Sequence, residues 1–103
     1  MRIAEVVGKF SLLKVHPSLV GKRWILGVPQ TLASLAGREP STADEVAILD
    51  ELGAGPGDRI AFSEGAEAAF PFHPEKKPVG AYNAGILDEV VLDRQETERL
   101  LGK

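Results

Sequence analysis

The sequence predicts an all-β protein, a small barrel of five strands with short helical segments, one of them at the C-terminus. Three observations carry that expectation. Apolar residues recur with a period of two in one segment after another. The segments are separated by stretches rich in Gly, Pro and Ser. The chain of 103 residues is long enough for one compact core and too short for two.

The first strand is expected from Arg2 to Leu12, where Ala4, Val6, Gly8, Phe10 and Leu12 share a face and Glu5, Lys9 and Ser11 take the other. The second, Lys22 to Val28, sits between Gly21 and Pro29 and puts Trp24, Leu26 and Val28 on a common face, with Trp24 expected in the core. Glu45 to Leu52 is a short apolar third strand, and Asp58 to Ser63 alternates through Ile60 and Phe62 as a fourth. The fifth and longest, Ala81 to Asp93, is nearly continuous in apolar residues, as expected of a strand covered on both sides.

The connections read differently. Gln30 to Asp44 opens with a helical turn and becomes a polar surface excursion around Gly37, Pro40, Ser41 and Thr42. Glu64 to Gly80 begins with Ala-rich residues suited to one or two helical turns, after which Pro71, Pro74 and Pro78 oppose regular structure. Asp93 and Glu96 have the spacing of a capping box ahead of a helical tail from Arg94 to Lys103, outside a barrel of residues 1–93. A helix of about ten residues is marginal alone, so Leu100 and Leu101 are expected to dock on the chain's own barrel or on a neighbour.

Composition excludes several functions. The formal net charge is −3, with no long run of Lys or Arg, which disfavours a nucleic-acid groove. No apolar run approaches the roughly 18 residues of a membrane span, and Glu5 and Lys9 interrupt any signal-peptide core, so a cytoplasmic location is expected. There are no cysteines, hence no disulfide and no thiolate metal site. His16 and His73 lie beside prolines, and a site would need folding to bring a third donor such as Asp44 or Glu75 close, so no metal or other cofactor is expected. Asp88 and Glu89 are adjacent on an expected strand, point to opposite faces and do not form an acid/base pair, leaving Asp88 for a hydrogen bond or salt bridge at an interface. None of the serines sits in a nucleophile elbow, so no enzyme is expected.

One stretch raises a sharper question. Glu51 to Ile60, ELGAGPGDRI, places Gly53, Gly55 and Gly57 within five positions. A phosphate-binding loop needs a helix behind it, and here the following residues alternate as a strand. Pro56 removes a backbone N–H that such a cradle would use, and Asp58 would repel a phosphate. The glycines are therefore expected to form a tight turn between strands by adopting positive φ.

That turn also carries a resemblance. The runs LDELGAGPGDRIAFSEGAEAA, Leu49 to Ala69, and KKPVGAYNAGILDEV, Lys76 to Val90, resemble the EutN/CcmL family of bacterial microcompartment vertex proteins. The family's Gly-Ala-Gly-x-Gly-acid turn is matched by Gly53, Ala54, Gly55, Gly57 and Asp58. Of its Gly-Ser-Ser-Ala-Arg loop only Gly65 and Ala68 remain, with Ala66, Glu67 and Ala69 at the changed positions. Pro78 and Val79 match the entry to the last strand, with Gly80 in place of an aspartate, and Ile86 and Asp88 match its Ile-x-Asp. The opening MRIAEVVGKF is similar to the family's first strand, with Gly8 at the matching glycine.

The resemblance implies a barrel of oligonucleotide-binding-like (OB-like) topology, assembled as a cyclic homopentamer that caps the vertices of a microcompartment shell beside hexameric and pseudohexameric shell proteins. It further implies that Gly53, Ala54, Gly55, Gly65, Ala66, Glu67, Ala68, Ala69 and Asp88 lie at a subunit interface or near the ring axis. The alternative on the same fold is a small single-stranded nucleic-acid-binding module using Lys22, Arg23 and Trp24 as a cationic and aromatic patch, against which the acidic balance argues.

Overall fold

The computed structural model describes residues 1–75 and 77–103. Lys76, the first residue of the second matched run, lies outside them. Five strands, β1 Arg2–Phe10, β2 Arg23–Pro29, β3 Val46–Asp50, β4 Arg59–Glu64 and β5 Ala81–Ile86, close into a barrel in the order β1-β2-β3-β5-β4. All neighbours are antiparallel except β3 and β5, which run parallel. Closure leaves no open sheet edge for strand-to-strand aggregation. Helix α1, Leu32–Leu35, follows β2, helix α2, Arg94–Leu101, ends the chain, and 3-10 turns occupy Pro17–Leu19 and Gly65–Phe72.

The barrel interior is filled by Ala4 and Val6 of β1, Ile25 of β2, Ile48 of β3, Ile60 and Phe62 of β4, and Ala81 of β5, all buried. Gly27 also faces inward because nothing larger fits. A Cβ there would stand 2.8 Å from Ile48 Cδ1 and 3.2 Å from Ala4 Cβ. A second apolar cluster lies on the outer face of β3 and β5, where Leu49 is covered by Leu19, Ala68 and Val79, with Trp24, Phe72 and Tyr82 packed around it.

Two expectations about faces are corrected. The inward residues of β2 are Ile25, Gly27 and Pro29, so Trp24, Leu26 and Val28 share the outer face. Trp24 is half-buried there, stacked on Phe10 at 6.1 Å between ring centroids, rather than in the barrel core. In β1 the single alternation from Ala4 to Leu12 breaks at a bulge between Val6 and Gly8. The extra residue reverses the parity, so Ala4 and Val6 point inward while Phe10 pairs with Trp24 outside.

The fifth strand is also shorter than expected. It stops at Ile86 because its partner β4 begins at Arg59, and the bond from Leu87 N–H to Arg59 O is the last rung. Asp88 and Glu89 therefore lie on an irregular segment and not on a strand. The helical turns are where the sequence places them. Thr31 caps α1 by accepting from Ser34 N at 3.1 Å, and Asp93 Oδ1 caps α2 by accepting from Glu96 N at 2.8 Å. The second half of the Asp93 capping box is not made, since Glu96 pairs instead with Arg99 at 2.7 Å. The 3-10 turn runs through Pro71 to Phe72, farther than the prolines alone would allow.

The two strand glycines make a contrast. Replacing Gly27 by Ala is expected to lower unfolding stability by about 1–3 kcal/mol through overpacking. Replacing Gly8, where a Cβ meets no atom within 4 Å, should leave stability within about 0.5 kcal/mol. Denaturant melts of the two variants check this, and equal costs would contradict the packing account.

Candidate functional site

The glycine turn between β3 and β4 is held from beneath by one carboxylate. Asp50, the last residue of β3, points into the barrel mouth with its side chain fully buried. Its Oδ2 accepts from Ala54 N at 2.9 Å and from Arg23 Nη1 at 2.8 Å. Its Oδ1 accepts from Asn83 Nδ2 and Leu52 N, each at 3.0 Å. Arg23, paired in register with Asp50, also donates from Nη2 to Ala54 O. β2, β3, β5 and the turn thus converge on one charge.

The turn has the expected conformation. Gly53 and Gly57 adopt φ of 84° and 91°, a region an L side chain rarely enters. Asp58 Oδ2 accepts from Gly55 N at 2.8 Å, and Gly57 N–H and Asp58 O both bond to Val6, laying the turn along β1. Strand β4 follows directly. Ala54 is fully buried in the barrel core, whereas Gly53 is exposed and Gly55 half-buried.

The loop after β4 begins with Gly65 at φ 63°. Ala66 and Glu67 are exposed, Ala69 is half-buried, and Ala68 is fully buried in the cluster over Leu49. The side chains of Ala54 and Ala68 therefore pack within the protomer, and the free surface of these two motifs belongs to Gly53, Pro56, Gly57, Gly65, Ala66 and Glu67. Asp88 is exposed beside Glu89.

The end of the 3-10 turn is fastened to the barrel by a mixed cluster. Phe72 meets Tyr82 edge-on at 5.5 Å, and Lys77 Nζ lies 4.7 Å from the Phe72 ring centre. Glu51 accepts from Lys22 Nζ and from Tyr82 OH, each at 3.0 Å. The Lys22 hydrogen bond, aided by that of Tyr82 and opposed by burial, holds the Glu51 carboxyl below its ordinary value. Burial first, and the Glu51 carboxylate second, push the Tyr82 phenol up.

The sequence reading missed Asp50, Arg23 and Asn83 as a unit. The available signal was an Asp and an Asn at inward parity in otherwise apolar strands, AILD and AYNAG. Lys22 and Arg23 do not form an open cationic patch, because each is paired with a carboxylate. His16 serves locally, its Nδ1 accepting from Ser18 N at 3.2 Å at the start of a 3-10 turn.

Replacing Asp50 by Ala should cost about 3 kcal/mol or more, because four donors lose their acceptor, and a smaller loss would contradict the central role of this residue. A depressed carboxylate pKa stabilises the fold above the unfolded-state value and loses that contribution as pH falls through the folded one. The advantage of the native chain over a Glu51→Gln variant is therefore expected at neutral pH and should shrink only as pH falls below the ordinary carboxylate value of about 4.3 in paired melts.

Comparison with known proteins then places the chain. The model of the family described as ethanolamine utilisation protein EutN/carboxysome matches residues 1–88. The bacterial microcompartment shell vertex protein PduN of Salmonella typhimurium is 31% identical over 88 residues, covering 85% of this chain and 96% of its own length. The carboxysome shell vertex protein CcmL of Gloeobacter violaceus is 36% identical over 95 residues, covering 92% of this chain and 90% of its own. Its solved structure superposes with a TM-score of 0.77 at 31% identity, over 90% of this chain and 91% of that one. At 22% identity the pentameric microcompartment shell protein GrpN of Rhodospirillum rubrum shares the fold, with a TM-score of 0.74 over 90% of this chain and all of its own. With the family model spanning residues 1–88, and with relatives matched over nearly their whole length, this chain belongs to the EutN/CcmL family.

Proposed function

We propose that this protein is a structural shell component whose copies close into a five-membered ring and cap the vertices of a bacterial microcompartment. The observation that carries the reading is the near full-length match, at 31% and 36% identity, to two proteins described as shell vertex proteins. The physics is compatible: a head-to-tail contact repeated around a rotation axis closes a ring, and a ring of five turns a flat hexagonal layer into a corner. The partners are identical copies at the flanks and hexameric or pseudohexameric shell proteins at the rim. The location is the shell, within the cytoplasm, and the role is architectural rather than catalytic.

On this reading the exposed part of the loop from Gly65 to Ala69, together with Gly53, Gly55 and Asp88, lies at or near the boundary between protomers. A single-stranded nucleic-acid module is the weaker reading. Lys22 and Arg23 are occupied by Glu51 and Asp50, and the net charge is −3, so the cationic and aromatic patch around Trp24 is not open to a phosphate backbone.

Native mass measurement of the purified chain should give about 55 kDa, five times its 11.0 kDa. Co-expression with hexameric shell proteins should yield closed particles that fail to close when this chain is left out. A lasting monomer that retards single-stranded oligonucleotides would overturn the proposal.

A further inference from the structure

The surface is unevenly charged along the chain. From Val6 to Trp24 there is no acidic residue, while Lys9, Lys14, Lys22 and Arg23 are all basic. Lys22 and Arg23 are paired with Glu51 and Asp50. Lys9 and Lys14, both exposed, form no ion pair among the described residues. Between them, at the tip of the β1–β2 connection, Leu12 is 46% and Leu13 99% exposed. Single exposed leucines are ordinary. Two adjacent ones between free lysines form an apolar knob with a cationic rim.

A surface of opposite character lies on another flank. Glu5 of β1 and Arg59 of β4, opposite each other in the sheet, border two adjoining hollows of about 370 and 250 Å³. Asp58, Asp88 and Glu89 surround the first, so four carboxylates face a single guanidinium. Leu87 contributes apolar surface to the first hollow, and Val7 and Val28 to the second. This is an acidic groove with apolar patches, and its chemistry complements the knob.

The two features do not share a flank. The knob leads straight into Val15 and Leu19, which pack with Leu49 on the outer face of β3. The first hollow lies over the seam of β1 and β4 beside the end of β5, and the second continues over β1 and Val28 of β2, so the groove stays clear of the outer face of β3. A projection on one flank and a complementary recess on another give a heterologous contact, the type that forms rings when the rotation closes.

We propose that the Leu12–Leu13 tip of one copy seats in the groove over the β1–β4 seam of the next, with Lys9 and Lys14 facing Asp88 and Glu89. The inference rests on the ring reading above and supplies its joint: Leu13 as apolar anchor, the charges as the selector of orientation. A single-stranded nucleic acid does not suit this groove, because its phosphates would meet the same carboxylates.

The test uses the full-length chain and native mass measurement across a concentration series, with circular dichroism to confirm folding. Leu13→Asp should raise the concentration at which half the rings dissociate by about tenfold or more. Lys9→Glu with Lys14→Glu should do the same, and so should Asp88→Lys with Glu89→Lys. The variant carrying all four charge changes should return to within about threefold of the native chain, because the attraction is restored with its sign exchanged. All these side chains are exposed except that of Leu87 nearby, which is left unchanged. Rings unaffected by Leu13→Asp, or no recovery in the fourfold variant, would overturn the docking while leaving the ring reading intact. A native chain that never assembles would remove both.

Discussion

The buried carboxylate of Asp50 is the constraint on which the rest of this structure turns. A charge taken out of water is costly unless its lone pairs are filled. Here Arg23, Asn83 and the backbone N–H groups of Leu52 and Ala54 fill them. The four donors come from three places in the fold, so satisfying the charge requires β2, β5 and the glycine turn to be correctly placed at once. Among the described residues no buried side-chain polar atom lacks a partner, so the polar mouth closes the barrel with every such group satisfied.

From that mouth the chain acquires two unlike flanks. The outer face of β3 and β5 is sealed by Leu19, Ala68 and Val79 and fastened through Phe72, Tyr82 and Glu51. Over β1 and β4 the face stays open, with Val7 half-exposed beside the bulge and Glu5 and Arg59 bordering a groove. Pairing the open flank with itself about a two-fold axis would bring the groove's carboxylates against one another, and that like-charge contact disfavours it. Such asymmetry favours head-to-tail assembly, in keeping with the family to which the chain belongs.

Much of the fold was legible because it rests on local signals. Period-two alternation located β1, β2 and β4, short apolar runs located β3 and β5, and the Asp93 cap spacing marked the start of the C-terminal helix. The glycine turn was legible because Pro56 and Asp58 are wrong for a phosphate cradle and the next segment alternates. What sequence alone did not give were quantities set by distant partners. The parity reversal in β1 follows from pairing with β2, and the inward turn of Gly27 follows from Ile48 and Ala4. The end of β5 depends on where β4 begins. Of the candidate site, the motifs named the loop from Gly65 to Ala69, but they could not separate the exposed Ala66 from the buried Ala68, because burial depends on what folds over Leu49.

The fold therefore makes a closed barrel with a locked mouth, one covered side and one receptive side, and the proposed role follows from how such barrels pack around an axis. Electron-microscopic reconstruction of the purified protein in solution is the most direct measurement of that claim. The account predicts a five-fold ring in which each barrel meets its neighbour through the β1–β4 seam on one side and the β1–β2 tip on the other. A two-fold dimer joined seam to seam, or isolated barrels at every concentration, would contradict it.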